Sequence, residues 1–535
     1  MVKKRFIKKL AAVSMAVIAA AGCLTACGAD SKTAKIEDVN VEGETLNIHF
    51  HSNNKYTLAD ADGNLLPVFK LASDKTGINI NNVANPVATN SLQEFELQAT
   101  EKFPADIYGG TNVRQSVNSY GAQGGFIALD ELIEKYAPNI KKYLSENEDV
   151  KKAITAADGH IYFMGYAPDG GVGRAYFIRT DWLDKLNLKM PTTFAELENV
   201  LYAFKDNDPN GNGEKDEIPV FNDKWQETIR LANLWGARVY GSDSFLERVV
   251  LDDNDKMYQA WVTDAFKTAL IGINKWYQDG IIDPETFSRK ANTAKQTLWT
   301  KSDVGGMTHD FFASTSSYNY NTELIATNPN FKLQAFKPVC ANGKAFEEHR
   351  RVTVKNDGWA ISANCSNQVA AIKYMDWFYS EEGRTAINFG IEGDSYTMVN
   401  GKPTFTEDTL SQTNVNTHLQ KTYGAQLPIG YAQDFAYEEQ WNPKEGQDAY
   451  NLYSSSVDYV KGTPVLSFND EEQEVFDTYV ATLNTYQDEM ITAFITGKYD
   501  INSEWSSYVN KCKELGCDKV AAIYQSAYER YKNVK

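Results

Sequence analysis

The sequence predicts an α/β protein with two large lobes. Strand-like and helix-like patterns alternate along the chain after residue 44, which is typical of parallel sheets covered by helices. The length of 535 residues exceeds what one hydrophobic core usually serves and suits two domains or lobes. Hydrophobic residues make up 42% of the chain and charged residues 23%, which is a globular composition and not that of a disordered or fibrous protein.

The first 26 residues predict a lipoprotein signal peptide. A basic leader, KKRFIKK, precedes an apolar run from Leu10 to Gly22 that is too short to span a membrane. The next residues, LTAC, are similar to the bacterial lipobox, in which the cysteine thiol receives a diacylglycerol and becomes the first residue of the mature chain. Cys27 is therefore the predicted lipidation site, Cys23 is a weaker candidate, and an ordinary secretory signal is the alternative. Residues 27–44 are polar and predict a flexible tether.

The charge of the chain excludes some partners. Removal of the leader, which carries five positive charges and no acidic residue, lowers the formal net charge from −18 to −23. Such a chain is repelled by phosphate backbones and by anionic lipid, so we expect no nucleic-acid binding and no attachment to the membrane through the protein surface. Strongly acidic polysaccharides are also less expected as ligands, unless a local basic pocket binds them.

The first elements predict a parallel layer. The segment Thr45–His51 alternates apolar and polar residues, as does Ile78–Asn81, and each is followed by a helix-like stretch. A third short strand is predicted in Phe103–Gly110, before a Gly-Gly pair. Strand, helix, strand, helix and strand in this order favour parallel pairing.

Helices dominate the later predictions. Thr193 and Glu196 form a capping box at the start of an amphipathic helix. Gly358 to Gly393 is typical of a strand followed by a turn and a long helix, and the C-terminal residues are helical in pattern with a break at Gly516.

The loop after the capped helix, DNDPNGNGEKDEIP, predicts a calcium site. With Asp208 at position one, oxygen-bearing side chains follow at alternate positions and Gly213 is sixth, as in an EF-hand loop. Position twelve is Pro219, so Glu217 at position ten is the expected substitute for the usual glutamate. A polar turn without an ion is the alternative, and an ion here would be structural. The predicted ligands are Asp208, Asn210, Asn212, Glu214 through its backbone carbonyl, Asp216 and Glu217.

Four cysteines remain after the signal peptide, at 340, 365, 512 and 517. Their spacing fits no zinc site, so buried thiols are expected. A Cys512–Cys517 disulfide is possible in an oxidising compartment, and the sequence leaves this open.

Three segments carry a resemblance to a known family. Tyr176–Val220, Asp357–Tyr396 and Ala493–Tyr531 resemble segments of extracellular solute-binding lipoproteins of carbohydrate ABC importers, in the large Gram-positive subgroup with an EF-hand-like calcium loop. The resemblance implies a type II periplasmic-binding-protein fold, in which two lobes joined by hinge strands enclose a ligand cleft. It assigns residues 45–165 and 350–425 to the first lobe, and 166–349 and 426–535 to the second.

The same resemblance implies a function. The chain would capture a carbohydrate, as an oligosaccharide, outside the cell and deliver it to the permease subunits of an ABC transporter, without catalysis. It would act as a monomer at the extracellular face of the cell membrane, held there by its lipid anchor with fatty acyl chains such as palmitate, and Ca²⁺ would be its only cofactor.

Aromatic and polar side chains near strand ends are the candidate ligand contacts. Aromatic rings pack against the apolar face of a sugar, and planar polar groups bind its hydroxyls. Core packing is the competing interpretation for each tryptophan, and a solvated carboxylate is the competing interpretation for each acid. The candidates are Trp359, Trp235, Tyr108, Tyr396, Arg174, Asp310 and Glu392.

Other functions compete with this interpretation. A surface-anchored polysaccharide-degrading enzyme would share the signal, the aromatic residues and calcium, but it needs a specific pair of carboxylates or a metal with a base. The segments HSNNKY and MTHDFF hold lone histidines, which are expected to be structural. A lipoprotein that binds peptides or feeds a sensor kinase is the second alternative.

Overall fold

The computed structural model describes residues 38–53, 56–85, 87–242, 244–348 and 350–534. The predicted signal peptide, Cys27 and the first part of the predicted tether lie outside these residues. Within them, no helix combines the length and the apolar character that crossing a membrane requires.

Strands and helices alternate as predicted. The strands of the described residues are β1 (Thr45–His51), β2 (Asn79–Asn82), β3 (Ile107–Gly110), β4 (Met164–Gly165), β5 (Arg174–Arg179), β6 (Ile218–Val220), β7 (Val249–Leu251), β8 (Met257–Gln259), β9 (Gly305–Phe311), β10 (Leu333–Phe336), β11 (Gly358–Ile361), β12 (Tyr396–Val399) and β13 (Lys402–Phe405). The α-helices are α1 (Pro67–Thr76), α2 (Ser91–Thr100), α3 (Arg114–Ala122), α4 (Asp130–Tyr136), α5 (Pro138–Glu146), α6 (Glu148–Ile154), α7 (Thr180–Lys185), α8 (Phe194–Asp206), α9 (Trp225–Arg230), α10 (Asp264–Gln278), α11 (Phe312–Ser316), α12 (Thr322–Thr327), α13 (Gln368–Trp377), α14 (Glu381–Phe389), α15 (Glu407–Leu410), α16 (Val415–His418), α17 (Ala436–Trp441), α18 (Lys444–Ser456), α19 (Asp470–Ile495), α20 (Ile501–Glu514) and α21 (Cys517–Asn533). Short 3₁₀ turns cover Leu231–Trp235, Ala260–Val262 and Ser317–Tyr320, and π-helical turns cover Gln296–Lys301 and Leu419–Tyr423.

The first sheet has the strand order β2-β1-β3-β11-β4. Its strand β1 is parallel to both β2 and β3, as the alternation of elements predicted. The late strand β11 returns antiparallel between β3 and β4. Residues on both sides of the long segment between β4 and β11 therefore build one sheet.

The second sheet has the order β10-β5-β9-β6. Strand β5 runs antiparallel to both β10 and β9, and β6 runs parallel to β9. The predicted capping box is present at the start of α8, where the Thr193 hydroxyl accepts from Glu196 N–H and the Glu196 carboxylate accepts from Thr193 N–H. This helix leads into the predicted calcium loop and then into β6.

Each sheet has a separate main core. The apolar side chains of β1 pack with α13 and α14 in one core, and those of β5, β6 and β9 contribute to another with α8, α10 and α19. Leu427, Ile429 and Tyr431 lie in the core of the first sheet. The prediction assigned residues after 425 to the second lobe, and this packing places 427–437 with the first lobe instead, because these apolar side chains are buried there.

The end of the predicted tether packs against the body. Val41 is buried in the core of the first sheet, Gly43 N–H donates to Gly77 O, and the Lys373 ammonium donates to Val39 O. Residues 38–44 are therefore part of the folded lobe, and the prediction of a flexible tether up to residue 44 is wrong for them.

Two of the connections between the lobes leave from the same edge of each sheet. Residues 166–173 join the end of β4 to the start of β5, and residues 337–357 join the end of β10 to the start of β11. Arg351 ties these connections together. Its guanidinium donates to the backbone carbonyls of Asp169 (2.9 Å) and Val172 (3.2 Å), and its Nη2 donates to both carboxylate oxygens of Glu438. In each sheet, the edge at which the parallel strands end is therefore also the edge from which these two connecting segments leave.

Candidate ligand-binding site

The carboxyl edge of the second sheet gathers charged and aromatic side chains. Arg174 begins β5 and lies opposite Phe311 at the end of β9 in the antiparallel register, while β6 ends three residues before Asp223. Open α/β sheets bind ligands at the carboxyl ends of their strands. This edge is the second-lobe half of the candidate site.

Arg174 and Asp310 are brought together at this edge by their strands. The Arg174 guanidinium is paired with Glu227 of α9 and lies 3.4 Å from the Asp310 carboxylate. The Lys295 ammonium contacts Asp310 at 2.8 Å and Asp223 at 3.1 Å. Burial alone would raise the pKa of Asp310, but Lys295 and Arg174 hold it below its ordinary value.

The network continues inward through His309. Its Nδ1 lies 3.1 Å from Glu227 and its Nε2 lies 2.9 Å from Glu347, which stands on the second connection between the lobes. Burial by itself lowers the pKa of His309, but Glu347 and Glu227 more than offset this and raise it to about 9. The imidazole is therefore protonated at neutral pH. As predicted for the lone histidines, His309 has a structural position, and it links β9 to a connecting segment.

Arg230 and Glu348 close the network. The Arg230 guanidinium contacts Glu348 at 2.8 Å, and the backbone N–H of Val239 donates to the same carboxylate. Burial raises the pKa of Glu348 to about 7 in spite of these partners. The buried cations of this lobe edge are thus matched by carboxylates.

Phe311 supplies an exposed aromatic surface beside these charges. Its side chain is 40% exposed, and the Arg174 guanidinium carbon lies 3.8 Å from the ring centroid. A cation below a ring fixes its orientation through the ring quadrupole. The arrangement offers a flat apolar face next to polar groups.

The carboxyl edge of the first sheet holds a polar cavity of about 270 Å³. It is lined by residues that follow β1, β3 and β4 and by Asp357, which precedes β11. Tyr166 stacks on Tyr431 beside it, with ring centroids 5.0 Å apart. Its lining includes Ser52, Asn53, Thr111, Tyr166, Asp357 and Asn416.

Several predicted contact residues are placed in the cores. Trp359 is 0% exposed and packs on Tyr374 and Phe378, because β11 is an inner strand of its sheet. Tyr108 is also fully buried, in the small core between β3 and α2, and its hydroxyl accepts from Ala105 N–H. In this structure neither ring presents a face to a ligand, and core packing explains both.

The other predicted residues lie apart from the two strand edges. Trp235 packs against Phe194 and Trp276 in the main core of the second lobe. Tyr396 is buried against Phe389 at the start of the β12–β13 hairpin, and Glu392 is exposed in the turn before it. Of the seven candidates, only Arg174 and Asp310 lie together at one of these two strand edges.

The residues that contact Arg174 and Asp310 were not predicted from the sequence. Phe311 follows Asp310 directly in the sequence. The position of Asp310 near a strand end could therefore have indicated that Phe311 also lies at the site. Glu227 and Lys295 gave no signal of this kind, because they reach the site from helical segments, 53 residues from Arg174 and 15 residues from Asp310.

The predicted calcium loop has one feature that points to a cation. The Glu217 side chain is buried, neither of its carboxylate oxygens has a hydrogen-bond partner among the described residues, and burial raises its pKa. An uncompensated buried carboxylate is costly unless a cation pairs with it. The residue types of the loop therefore fit a hard cation.

The rest of the loop is held by its own hydrogen bonds. The Asp208 carboxylate accepts from the backbone N–H groups of Gly211 and Gly213, and the Asp216 carboxylate accepts from the amides of Asn210 and Asn212. Glu214 is exposed. Among the described residues no three acidic, histidine or cysteine side chains converge as a metal site, so the structure does not confirm the calcium prediction.

The four cysteines among the described residues are free thiols. Cys365, Cys512 and Cys517 are buried and Cys340 is half-buried. Burial raises the pKa of Cys512 to about 11, which makes it unreactive as a thiolate. The disulfide that the sequence left open is not formed.

The chain matches a known protein family over most of its two lobes. The sequence pattern of the family described as bacterial extracellular solute-binding protein matches residues 62–385, which is more than half of the chain. The chain belongs to this family. The match covers all four strands of the second sheet and every strand of the first sheet except β1, and it includes Arg174, Asp310 and Asp357.

Two curated relatives of this solute-binding protein cover nearly its whole length. The fructooligosaccharide ABC transporter substrate-binding protein FusA of Streptococcus pneumoniae serotype 4 is 26% identical, over 95% of this chain and 96% of FusA. Lipoprotein LipO of Bacillus subtilis strain 168 is 22% identical, over 99% of this chain and 100% of LipO.

Solved structures confirm the predicted fold class. The alginate-binding protein AlgQ2, solved without calcium ion, matches with a TM-score of 0.76 and 37% identity over 92% of this chain and 99% of its own. FusA from S. pneumoniae in complex with kestose matches with a TM-score of 0.69 and 21% identity over 92% of this chain and 100% of its own. A further FusA structure is described as an EF-hand mutant in complex with fructo-nystose, with a TM-score of 0.68 and 20% identity over the same shares. This solute-binding protein has the two-lobed α/β fold of periplasmic binding proteins.

Proposed function

We propose that this protein captures an oligosaccharide outside the cell and delivers it to the permease subunits of an ABC importer. The observation that carries the proposal is the exposed ring of Phe311, oriented by Arg174 at the carboxyl edge of the second sheet. Proteins bind sugars with an aromatic ring against the apolar face of the sugar and polar groups at its rim. The names of FusA and AlgQ2 give the same ligand class for these relatives.

The two halves of the site suit capture by closure of the lobes. The polar cavity of the first lobe and the Phe311 edge of the second lobe lie at the carboxyl ends of their strands, on the side of the connecting segments. A hinge movement of the lobes would bring both halves onto one ligand. The closed form would then be the one that the permease recognises.

The proposed role involves no catalysis, and the two carboxylates paired with Arg174 beside Phe311 fit this role. A glycoside hydrolase needs a carboxylic acid whose pKa is raised, so that it can protonate the leaving oxygen. Arg174 and Lys295 instead hold the pKa of Asp310 below its ordinary value, and Arg174 and Arg230 do the same for Glu227 against the effect of burial. These two carboxylates are therefore suited to fixing the binding surface and not to proton transfer.

The anchor and the metal complete the proposal. The N-terminal sequence supports lipidation at Cys27, which would hold a monomer at the outer face of the cell membrane. A structural Ca²⁺ would be held by Asp208, Asn210, Asn212, the carbonyl of Glu214, Asp216 and Glu217. The unpartnered carboxylate of Glu217 and the EF-hand of the FusA relative support this assignment. When bound, the ion would neutralise the carboxylates of the loop.

Titration calorimetry of the mature protein tests the function. We expect binding from a panel of defined oligosaccharides, no binding from a panel of peptides of similar size, and full recovery of the sugar unchanged by chromatography after long incubation. Peptide binding without sugar binding would contradict the ligand class. Appearance of shortened sugars would show an enzyme instead.

A further inference from the structure

The polar cavity of the first lobe is lined mainly by hydroxyl and amide side chains. Its side chains come from the ends of β1, β3 and β4, from the start of β11 and from the π-helical region near α16. Thr111, Asn416 and Gln420 offer hydroxyl and amide groups to this cavity. A cavity of about 270 Å³ is small and fits a single sugar ring better than a chain.

Asp357 is the charged group of this cavity. One oxygen of its carboxylate accepts from Asn112 N–H at 2.9 Å, and the other has no hydrogen-bond partner among the described residues. Burial raises the pKa of Asp357, against the opposing effects of the Asn112 hydrogen bond and of Lys355. A half-buried carboxylate with a spare oxygen is a strong acceptor for ligand hydroxyls.

The described residues that line the cavity include no lysine, arginine or histidine. Lys355 acts on Asp357 from outside the lining, and it already has a partner of its own. The nearby Arg351 is bound to both oxygens of Glu438 and to two backbone carbonyls. A ligand carboxylate placed here would meet the half-buried like charge of Asp357, and among the described residues no cation of the lining itself would compensate it.

We propose that this cavity is the subsite for one uncharged, hydroxyl-rich sugar residue, and that Asp357 determines this specificity by accepting the hydroxyls of the ring and repelling a uronate. The inference rests on the proposed capture of oligosaccharides and names the class of sugar that the site selects.

The second lobe is consistent with an uncharged ligand. Arg174 is paired with Glu227 and Asp310, and Lys295 is paired with Asp310 and Asp223. These cations are neutralised before any ligand arrives. Lys224 also stands near this edge of the second lobe, with its ammonium 5.7 Å from the centre of the Phe245 ring. It does not line the Asp357 cavity, which belongs to the first lobe.

The test is calorimetry with probes that differ only in charge. α-1,4-galactotriose and α-1,4-trigalacturonate share linkage and length, and kestose, nystose and an alginate trisaccharide extend the two groups. We expect the wild-type protein to bind at least one neutral probe at least about tenfold more tightly than every acidic one. The variant Asp357→Asn keeps an acceptor for Asn112 N–H, so it should fold. It should weaken neutral binding about tenfold or more and reduce the discrimination, because a charged acceptor is replaced by a neutral one.

Two further variants separate specificity from a folding defect. Thr111→Val should weaken neutral binding without admitting the acidic probes. Asp394→Asn, in an exposed turn of the same lobe, should change neither. Tighter binding of an acidic than of a neutral probe by the wild type would overturn the inference and leave the proposed function standing. Equal weakening of both classes in Asp357→Asn would also overturn it. A folded wild-type protein that binds neither class would contradict the proposed function itself.

Discussion

The guanidinium carbon of Arg174 lies 3.8 Å from the centroid of the Phe311 ring, across the antiparallel pair of β5 and β9. The same guanidinium is paired with Glu227 beneath the ring. A buried ion pair thus supports an exposed aromatic face, and the rotamer of the ring is fixed before a ligand arrives. Such preorganisation reduces the entropy cost of binding.

Phe311→Ala should weaken oligosaccharide binding about tenfold, which corresponds to about 1.4 kcal/mol, because the stacking surface is removed. Phe311→Trp should retain binding. Calorimetry with the best ligand of the panel measures the effect. Tyr499→Ala removes an exposed ring far along the chain and is the matched control. Unchanged affinity in Phe311→Ala would remove the ring from the site.

Lys295→Met should destabilise the protein by about 3 kcal/mol, because Asp223 loses its ion-pair partner and Asp310 keeps Arg174 as its remaining cationic partner in a buried site. Urea unfolding at pH 7 measures this change. Lys70→Met breaks an exposed pair with Asp74 and should cost no more than about 0.5 kcal/mol. The double variant Lys295→Met/Asp310→Asn should recover part of the loss, and an additive double variant would argue against coupling.

Stability should fall as pH rises through two windows. The pKa of His309 is about 9 in the folded protein and about 6.5 when unfolded, so its contribution is complete below pH 6.5 and is lost as pH rises through 9. The expected loss is about 3 kcal/mol. The pKa of Glu348 is about 7 in the folded protein and ordinarily 4.5. Its contribution to stability is therefore lost as pH rises from 4.5 to 7.

Two variants assign these windows. His309→Gln should flatten the stability profile between pH 6.5 and 9, and Glu348→Gln should flatten it between pH 4.5 and 7. Denaturant unfolding at a series of pH values gives the slopes, which are informative even if both variants are less stable overall. A wild-type profile that rises through pH 7 to 9 would contradict the protonated state of His309.

Calcium should raise the melting temperature of the wild-type protein, and EDTA should lower it, because an ion that binds only the folded loop stabilises it. Glu217→Gln should lose most of this effect. With EDTA present, the same variant should be at least as stable as the wild type, because its amide avoids the cost of a buried unpaired carboxylate. Glu214→Gln is the control, since only the backbone carbonyl of Glu214 is assigned to the ion. A calcium response that is equal in both variants would exclude Glu217 as a ligand.

Local patterns predicted much of the fold. The alternation in Thr45–His51, the capping box of Thr193 and Glu196, and the helix break at Gly516 depend on residues close together in the chain, and the structure confirms each. The parallel pairing of the first three strands followed from their order with the intervening helices.

The sequence by itself determined the class of the molecule, namely a two-lobed α/β solute-binding protein with a polar oxygen-rich loop after α8. The tertiary structure decided which side chains reach the surface. Trp359 is buried because β11 returns from far along the chain to lie between β3 and β4, and Phe311 is exposed because β9 ends at the edge that faces the connecting segments. Arg174 meets partners 53 and 136 residues away. Periodicity encodes which face of an element is apolar, whereas strand order and the pairing of distant charges depend on how the whole chain packs.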